Sequence, residues 1–177
     1  MRQFKKQLWV LSVAAAALCL SAPSAHAGVA SSSFPVSAAV AAVCSISTAN
    51  LSFGNYDPIG ANAATHLDVN GSVTVTCTKG STVWIDLNPG THTASAVGTT
   101  RAMQSGASDF LSYELFSNVG RTTVWGVGDP GLGGNGFAPG AAVNKNPRVF
   151  PIHGRVPAGQ DSAVGNYTDT VQATVNF

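Results

Sequence analysis

Residues 34–44 read Phe-Pro-Val-Ser-Ala-Ala-Val-Ala-Ala-Val-Cys, and this stretch decides how the fold is completed. Apolar side chains recur at every second position, which is the periodicity of a β-strand. One face of the predicted strand carries Phe34, Val36, Ala38 and Val40. The strand begins only a few residues after the cleavage site of a predicted signal peptide, described below, so it would lie close to the N-terminus of the mature chain. At that place it can pair with its own domain or with another chain. That choice separates a lone secreted domain from a subunit of a polymer.

Residues 1–27 have the three parts of a secretory signal peptide. The positively charged start consists of Arg2, Lys5 and Lys6. Residues 8–20 form an apolar run that is short for crossing a bilayer. Residues 25–27, Ala-His-Ala, have the small-x-small pattern of a cleavage site. We therefore predict that residues 1–27 are removed, that the chain is not stably inserted in a membrane, and that the exported mature chain begins near Gly28.

The mature chain carries little charge. It keeps six basic and eight acidic residues, which gives a net charge of −2. Charged residues make up 10% of the whole sequence, against about a quarter in ordinary globular proteins. This composition gives no electrostatic basis for binding nucleic acid. It also leaves strand edges with little charge repulsion against association.

Two cysteines remain after the signal peptide, Cys44 and Cys77. In an exported chain, two cysteines favour one disulfide. The bond would close a loop of about 33 residues and stabilise the fold by roughly 3–4 kcal/mol. A metal site or a catalytic thiol is the alternative. However, no histidine neighbours either cysteine in sequence, and two thiols alone cannot complete a zinc site.

The mature chain is predicted to be all-β, because turn residues interrupt it about every ten positions and helical periodicity is nearly absent. The predicted strands are residues 43–46, 50–56, 67–77, 83–87, 110–116, 122–125, 149–156 and 167–177. Asn70-Gly71 is expected to be a turn or bulge within its strand, and Pro151 favours an edge or bulge position. Residues 128–142 are rich in Gly, Pro and Ala and predict a long loop. The pattern favours a single Greek-key sandwich over a barrel.

Side chains that could carry chemistry do not form a recognisable set. His66, His92 and His153 are far apart in sequence, and no Gly-x-Ser-x-Gly motif occurs. Glu114, the only glutamate, is expected to face solvent on a strand. Trp84 and Trp125 are expected to be aromatics of the core or of a sheet face. We therefore predict that the chain is not an enzyme and needs no metal or cofactor.

Several short motifs follow one another along the mature chain. They are residues 34–40 leading into Cys-Ser-Ile-Ser (44–47), Leu-Ser-Phe-Gly-Asn-Tyr-Asp (51–57), Val-Thr-Cys (75–77), Arg-Ala-Met (101–103), Leu-Ser-Tyr-Glu-Leu-Phe (111–116), Arg-Thr-Thr-Val-Trp-Gly (121–126), Gly-Asn-Tyr-Thr-Asp-Thr-Val (165–171) and Val-Asn-Phe (175–177). Each motif alone is weak. The ordered set, with both cysteines and the terminal Phe177 in place, resembles the spore coat protein U domain family, which includes the pilins of the archaic chaperone–usher pathway.

The resemblance implies an immunoglobulin-like sandwich that lacks its last strand and is completed by donor-strand complementation. Residues 28–40 would be the donor segment and residues 41–177 the pilin domain. The donor residues facing the neighbouring subunit would be Phe34, Val36, Ala38 and Val40. One wall of the acceptor groove would be formed by Tyr167, Val171, Ala173, Val175 and Phe177. The implied partners are a periplasmic chaperone, an outer-membrane usher and identical or related pilin subunits.

Two functions remain open from the sequence. The first is a structural subunit of a surface pilus, polymerising by donor-strand exchange and serving adhesion or biofilm formation. A single domain of this kind implies a shaft or minor subunit. The alternative is a self-complete secreted β-sandwich, either a spore-coat protein or a carbohydrate-binding module. In that case the N-terminal strand would fold back into its own domain.

Overall fold

The computed structural model describes residues 27–92, 99–106 and 109–177. The predicted signal peptide, apart from its last residue, lies outside these ranges. The chain divides into two units, residues 1–38 and residues 39–177. In the first unit, residues 27–38 form neither helix nor strand, and their side chains are exposed. Within the described ranges, no helix has the length and apolarity needed to cross a membrane.

The second unit is built from short antiparallel strands. They are β1 (Cys44–Thr48), β2 (Leu67–Cys77), β3 (Trp84–Leu87), β4 (Arg101–Ser105), β5 (Asp109–Phe116), β6 (Arg148–Val156) and β7 (Ala173–Asn176). Five strands form one sheet in the order β1-β2-β6-β5-β4, and β3 pairs with β7 in a second sheet. The all-β prediction is confirmed. The immunoglobulin-like topology with a missing last strand stays a prediction.

The core lies between the inward faces of these strands, where side chains alternate with outward ones. Its buried residues include Val73, Val75, Val83, Ile85, Leu87, Leu111, Tyr113, Leu115, Trp125, Ile152 and Val156. The indole N–H of Trp125 donates to the carbonyl of Ile85 at 2.8 Å, so this large side chain is buried with its polar atom satisfied. Burying each large apolar side chain contributes about 1.5–3 kcal/mol.

A disulfide joins Cys44 to Cys77, as predicted. The two residues are direct partners in the β1–β2 register, so the bond links the start of β1 to the end of β2. It closes a separation of 33 residues. The disulfide therefore fixes the start of β1 on its sheet, and the other end of β1 leads into residues 49–56.

Two glycines in the large sheet, Gly71 and Gly154, make room for another segment of the chain. Asn70 and Gly71 pair with His153 and Ile152 in an uninterrupted β2–β6 register, so the predicted turn or bulge is wrong. A Cβ at Gly71 would lie 3.1 Å from Cδ1 of Leu51, and one at Gly154 would lie 3.0 Å from Cζ of Phe53. The missing methyl groups leave room for residues 50–56 to lie against the sheet.

Other predicted strands are shorter in the structure or absent from it. Residues 50–56 form no strand, and residues 122–125 contribute only an isolated bridge between Val124 and Phe116. The C-terminal strand covers Ala173–Asn176 instead of residues 167–177, although an isolated bridge joins Thr168 to Gln104. The predicted long loop is confirmed and contains one 3-10 turn, Pro130–Leu132. Strand β4 had not been predicted.

Pro151 lies on a part of β6 that pairs on one side. It is opposite Ser72 of β2, whereas the pairing of β6 with β5 extends only from His153 to Arg155. The missing N–H of proline is therefore tolerated in a strand that is central by sheet order. The expectation of an edge-like position is confirmed locally.

Glu114 is buried, so the prediction that it faces solvent is wrong. Its carboxylate forms an ion pair with Arg101, and the exposed fractions of the two side chains are 2% and 1%. The other carboxylate oxygen accepts hydrogen bonds from the N–H and the hydroxyl of Thr100, both at 2.8 Å. Arg101 also donates to the carbonyls of Leu87 and Trp125, each at 2.8 Å. The pair therefore joins β3, β4, β5 and the segment around Trp125 from the inside.

Candidate functional site

An open groove of about 1050 Å³ runs beside the core of the second unit. Its two walls are the segments 48–56 and 162–173, which we call the first wall and the second wall. Its floor consists of Leu87, Met103, Leu111, Tyr113, Leu115 and Ile152. The floor is almost entirely apolar, and its members belong to the core or pack against it. The groove is therefore an opening onto the hydrophobic core.

From residue 50 onward, the first wall is held by its side chains and not by its backbone. Leu51 and Phe53 point inward, and the ring of Phe53 meets the ring of Tyr113 edge-on at a centroid distance of 5.8 Å. The hydroxyl of Tyr56 donates to the carbonyl of Pro157 at 3.0 Å. In the described part of the chain, the backbone groups of residues 50–56 have no hydrogen-bond partner. The wall therefore presents unpaired backbone groups.

The second wall is bonded on its outer side. The N–H and carbonyl of Thr168 exchange hydrogen bonds of 3.1 and 2.9 Å with those of Gln104 in β4. Further along, the carbonyl of Gln172 accepts from the N–H of Asn88 at 3.0 Å. Because alternate residues of an extended chain point their backbone groups to opposite sides, those of residues 167, 169 and 171 point to the groove. Among the described residues they have no partner.

Each wall of the groove adjoins a strand at the edge of a sheet, β1 for the first wall and β7 for the second wall. Of the strands described, β1 pairs only with β2, and β7 pairs only with β3. β1 leads into the first wall and β7 continues the second wall. A bare edge is a template for pairing with another strand. The groove therefore has an apolar floor between two walls that can each accept backbone hydrogen bonds.

One carboxylate interrupts the apolar lining. Oδ1 of Asp169 accepts from the N–H and the hydroxyl of Thr91, at 2.9 and 2.5 Å, and from the N–H of Thr170 at 2.8 Å. Oδ2 accepts from the hydroxyl of Tyr113 at 2.7 Å. Partial burial raises the pKa of Asp169, but these hydrogen bonds outweigh it and hold the pKa below its ordinary value. Burial, and then the Asp169 carboxylate, raise the pKa of Tyr113, so its hydroxyl remains a donor at neutral pH.

The residues predicted for the acceptor wall fall into two groups. Tyr167, Val171 and Ala173 line the groove. Val175 is half-buried against the core, and Phe177 is 57% exposed. No residue of the first wall or of the floor is predicted from the sequence to be a site residue. The signal for the first wall is the alternation of Leu51 and Phe53 with polar residues, which predicts a strand over residues 50–56.

The residues predicted for the donor strand are exposed. Phe34 is exposed to 80%, and Val36 and Val40 to 84% each. Ala38 is exposed as well, and residues 27–43 form no strand in the isolated chain. Exposed apolar side chains in a regular row indicate a surface for a partner.

Comparison with known proteins identifies the family. The sequence profile of the Spore Coat Protein U domain matches residues 30–174. The chain belongs to the spore coat protein U domain family. "Protein U" of Myxococcus xanthus is 35% identical over an alignment of length 178 that includes 95% of this chain and 96% of that protein. The family assignment made from the ordered motifs is confirmed.

A solved structure shares the fold. It is the crystal structure of the CsuC-CsuE chaperone-tip adhesion subunit pre-assembly complex from the archaic chaperone-usher Csu pili of Acinetobacter baumannii. The superposition has a TM-score of 0.54 at 22% identity and covers 78% of this chain. This chain spans only 40% of the length of the matched chain. At that identity the likeness concerns the fold alone.

Proposed function

We propose that this chain is a structural subunit of a chaperone–usher surface pilus that polymerises by donor-strand exchange and serves adhesion or biofilm formation. The observation that carries the proposal is the groove, which has an apolar floor and an unpaired backbone edge on each side. Strand addition at such an edge takes affinity from backbone hydrogen bonds and specificity from alternate side chains. The proposed role is structural and not catalytic.

The proposed occupant of the groove is residues 34–40 of a second copy or of a related subunit. This segment has the length of residues 167–173 of the second wall. Its inward row would bury Phe34, Val36 and Val40, which are largely exposed in the isolated chain. Burial of three such side chains contributes roughly 5–9 kcal/mol before any hydrogen bond is counted. Loss of translational and rotational freedom on association offsets part of this.

The position of Pro35 agrees with this occupant. In an antiparallel pair, residues that face each other directly have their side chains on the same side of the sheet. The residues of the second wall with unpaired backbone groups, 167, 169 and 171, are also those with inward side chains. A donor that places Phe34 and Val36 inward therefore aims their N–H groups at the second wall. The backbone of Pro35 then points to the first wall, so its missing N–H removes no hydrogen bond from the ladder with the second wall.

The groove would need cover before assembly, because bare edges and apolar surface promote aggregation. We propose that a periplasmic chaperone first supplies a strand and that an outer-membrane usher then receives the subunit. Residues 1–27 would be removed during export, and the assembled chain would lie at the cell surface. The fold is similar to that of a chain in a chaperone–tip adhesion subunit complex, which supports a chaperone as the first partner.

The proposal is tested by electrophoresis of the exported mature chain without boiling. We expect a ladder of oligomers that collapses to monomer on heating. A chain without residues 28–40 should give no ladder. Val36→Asp should also abolish the ladder because it places a charge on the inward row, whereas the matched control Ser37→Asp, on the outward row, should retain it.

A stable monomer of the full mature chain would contradict the proposal. If the chain without residues 28–40 were then unfolded, the N-terminal segment would complete its own domain. That result would favour the secreted spore-coat or carbohydrate-binding module.

A further inference from the structure

Asp169 is the one charged residue in the inward row of the second wall. That row consists of Tyr167, Asp169, Val171 and Ala173, and it continues into β7 with Val175. The carboxylate is fixed from several directions, because Thr91, Thr170 and Tyr113 all donate to it. The backbone at Gly90 also approaches closely, since a Cβ there would clash with Oδ2 of Asp169. The carboxylate therefore occupies a constant position along the groove.

A fixed carboxylate discriminates between the side chains placed on it. A branched apolar side chain would remove water from the charge and give no hydrogen bond in return, which is unfavourable. A small side chain displaces less water from the carboxylate. Of the inward donor residues, only Ala38 is small. The others are Phe34, Val36 and Val40.

We infer that Asp169 sets the register of the donor strand by placing Ala38 of the incoming subunit directly opposite it. The inference rests on the proposed function. Every strand pair described in the structure is antiparallel. In an antiparallel alignment the remaining pairs follow from the two-residue period. Val36 faces Val171, Phe34 faces Ala173, and Val40 faces Tyr167.

This register also matches side-chain sizes along the groove. The largest donor side chain, Phe34, meets the smallest residue of the inward row, Ala173. Sliding the donor by two residues in either direction would place Val36 or Val40 on Asp169. Both slides therefore put a branched apolar side chain over the carboxylate and move Phe34 from Ala173 to a valine. The registers with the opposite parity would turn the apolar row to solvent.

The register is tested by disulfide trapping between subunits, with Asp169 left in place. One mature chain carries Phe34→Cys or Val36→Cys, and the other carries Val171→Cys or Ala173→Cys. Facing residues in an antiparallel pair have Cα atoms about 5.5 Å apart at hydrogen-bonded positions, which suits a disulfide. We expect the combinations 34 with 173 and 36 with 171 to give at least about tenfold more cross-linked product than the other two.

The role of Asp169 is tested by a second set of variants. Ala38→Val in the donor should shorten the lifetime of unheated oligomers by about tenfold. The matched control Ala39→Val, on the outward row, should leave that lifetime unchanged. Asp169→Ala in the acceptor should restore the lifetime of Ala38→Val oligomers, because the carboxylate that rejects the valine is gone.

The outcomes separate the inference from the proposed function. Oligomers that cross-link mainly as 34 with 171, or as 36 with 173, would leave the proposed function intact and overturn this register. Equal effects of Ala38→Val with either residue at position 169 would overturn the role of Asp169. Absence of oligomers from the unsubstituted mature chain would refute the proposed function, and this inference with it.

Discussion

Replacing Arg101 by methionine is expected to remove about 4–6 kcal/mol from the free energy of unfolding of the mature chain. The substitution leaves the Glu114 carboxylate buried at 2% exposure without its cation. Removing one partner of a buried ion pair costs about 3–5 kcal/mol. The guanidinium also donates hydrogen bonds to the carbonyls of Leu87, Asn88 and Trp125. Losing these donors is expected to lower the free energy of unfolding by roughly 1 kcal/mol more. Small domains are stable by only about 5–15 kcal/mol, so the loss should be large in proportion.

The measurement is equilibrium unfolding in urea at one protein concentration, followed by the combined fluorescence of Trp84 and Trp125. Arg155→Met is the matched control. Arg155 forms a hydrogen-bonded pair with Asp68 at 2.8 and 2.9 Å, but the two side chains are exposed to 28% and 33%. Exposed pairs contribute about 0–1 kcal/mol. Equal losses for Arg101→Met and Arg155→Met would refute the argument that burial makes the Arg101 pair important.

Three further predictions concern the frame of the groove. Gly154→Ala should destabilise the fold by about 1–3 kcal/mol, because its Cβ would lie 3.0 Å from the Phe53 ring. The control for urea unfolding is Gly120→Ala, whose Cβ would lie no closer than 3.4 Å to another atom and whose φ is not positive; equal losses would contradict the role of crowding. Replacing Cys44 and Cys77 by alanine should cost roughly 3–4 kcal/mol, measured as a lower urea midpoint, and an unchanged midpoint would show that the β1–β2 pairing is sufficient alone. Asp169 should add stability that is fully present above the ordinary carboxyl pKa of about 4 and is lost as the pH falls through its lowered folded-state pKa, so the difference in unfolding free energy from Asp169→Asn should shrink as the pH is lowered below about 4. A difference that stays constant over that range would mean that the carboxylate does not contribute through its charge.

The strands that could be predicted from the sequence are those with a clean apolar alternation and a partner on the sheet. β2, β5 and β6 are of this kind. Strand β4 was missed because its inward residue at one end is Arg101, whose burial depends on a glutamate in the neighbouring strand. Glu114 was misplaced for the same reason. Sequence reasoning treats a lone charged residue as exposed, and only the folded register brings its counter-charge near.

The walls of the groove gave a different kind of error. Residues 50–53 and 167–172 alternate between inward and outward side chains in the structure, as the sequence pattern predicted, whereas the alternation of the first wall breaks at Gly54, whose φ is 73°. They are not part of a regular ladder, because a strand also needs a backbone partner and each wall lacks one toward the groove. The alternation of apolar and polar side chains indicates which face of a segment is buried. It does not indicate whether the neighbouring strand belongs to the same chain or to another one.

The two-sided arrangement of the groove has a mechanical consequence. A strand that adds to one edge is held by a single ladder and can be peeled away bond by bond from its end. A strand seated between the first and second walls would be held by ladders on both sides and by side chains beneath it. Tension along such a strand would load all of these contacts in shear at once. Extraction of the strand would then require many contacts to break at the same time. The force needed to extract it would therefore greatly exceed the force that removes an edge strand of equal length.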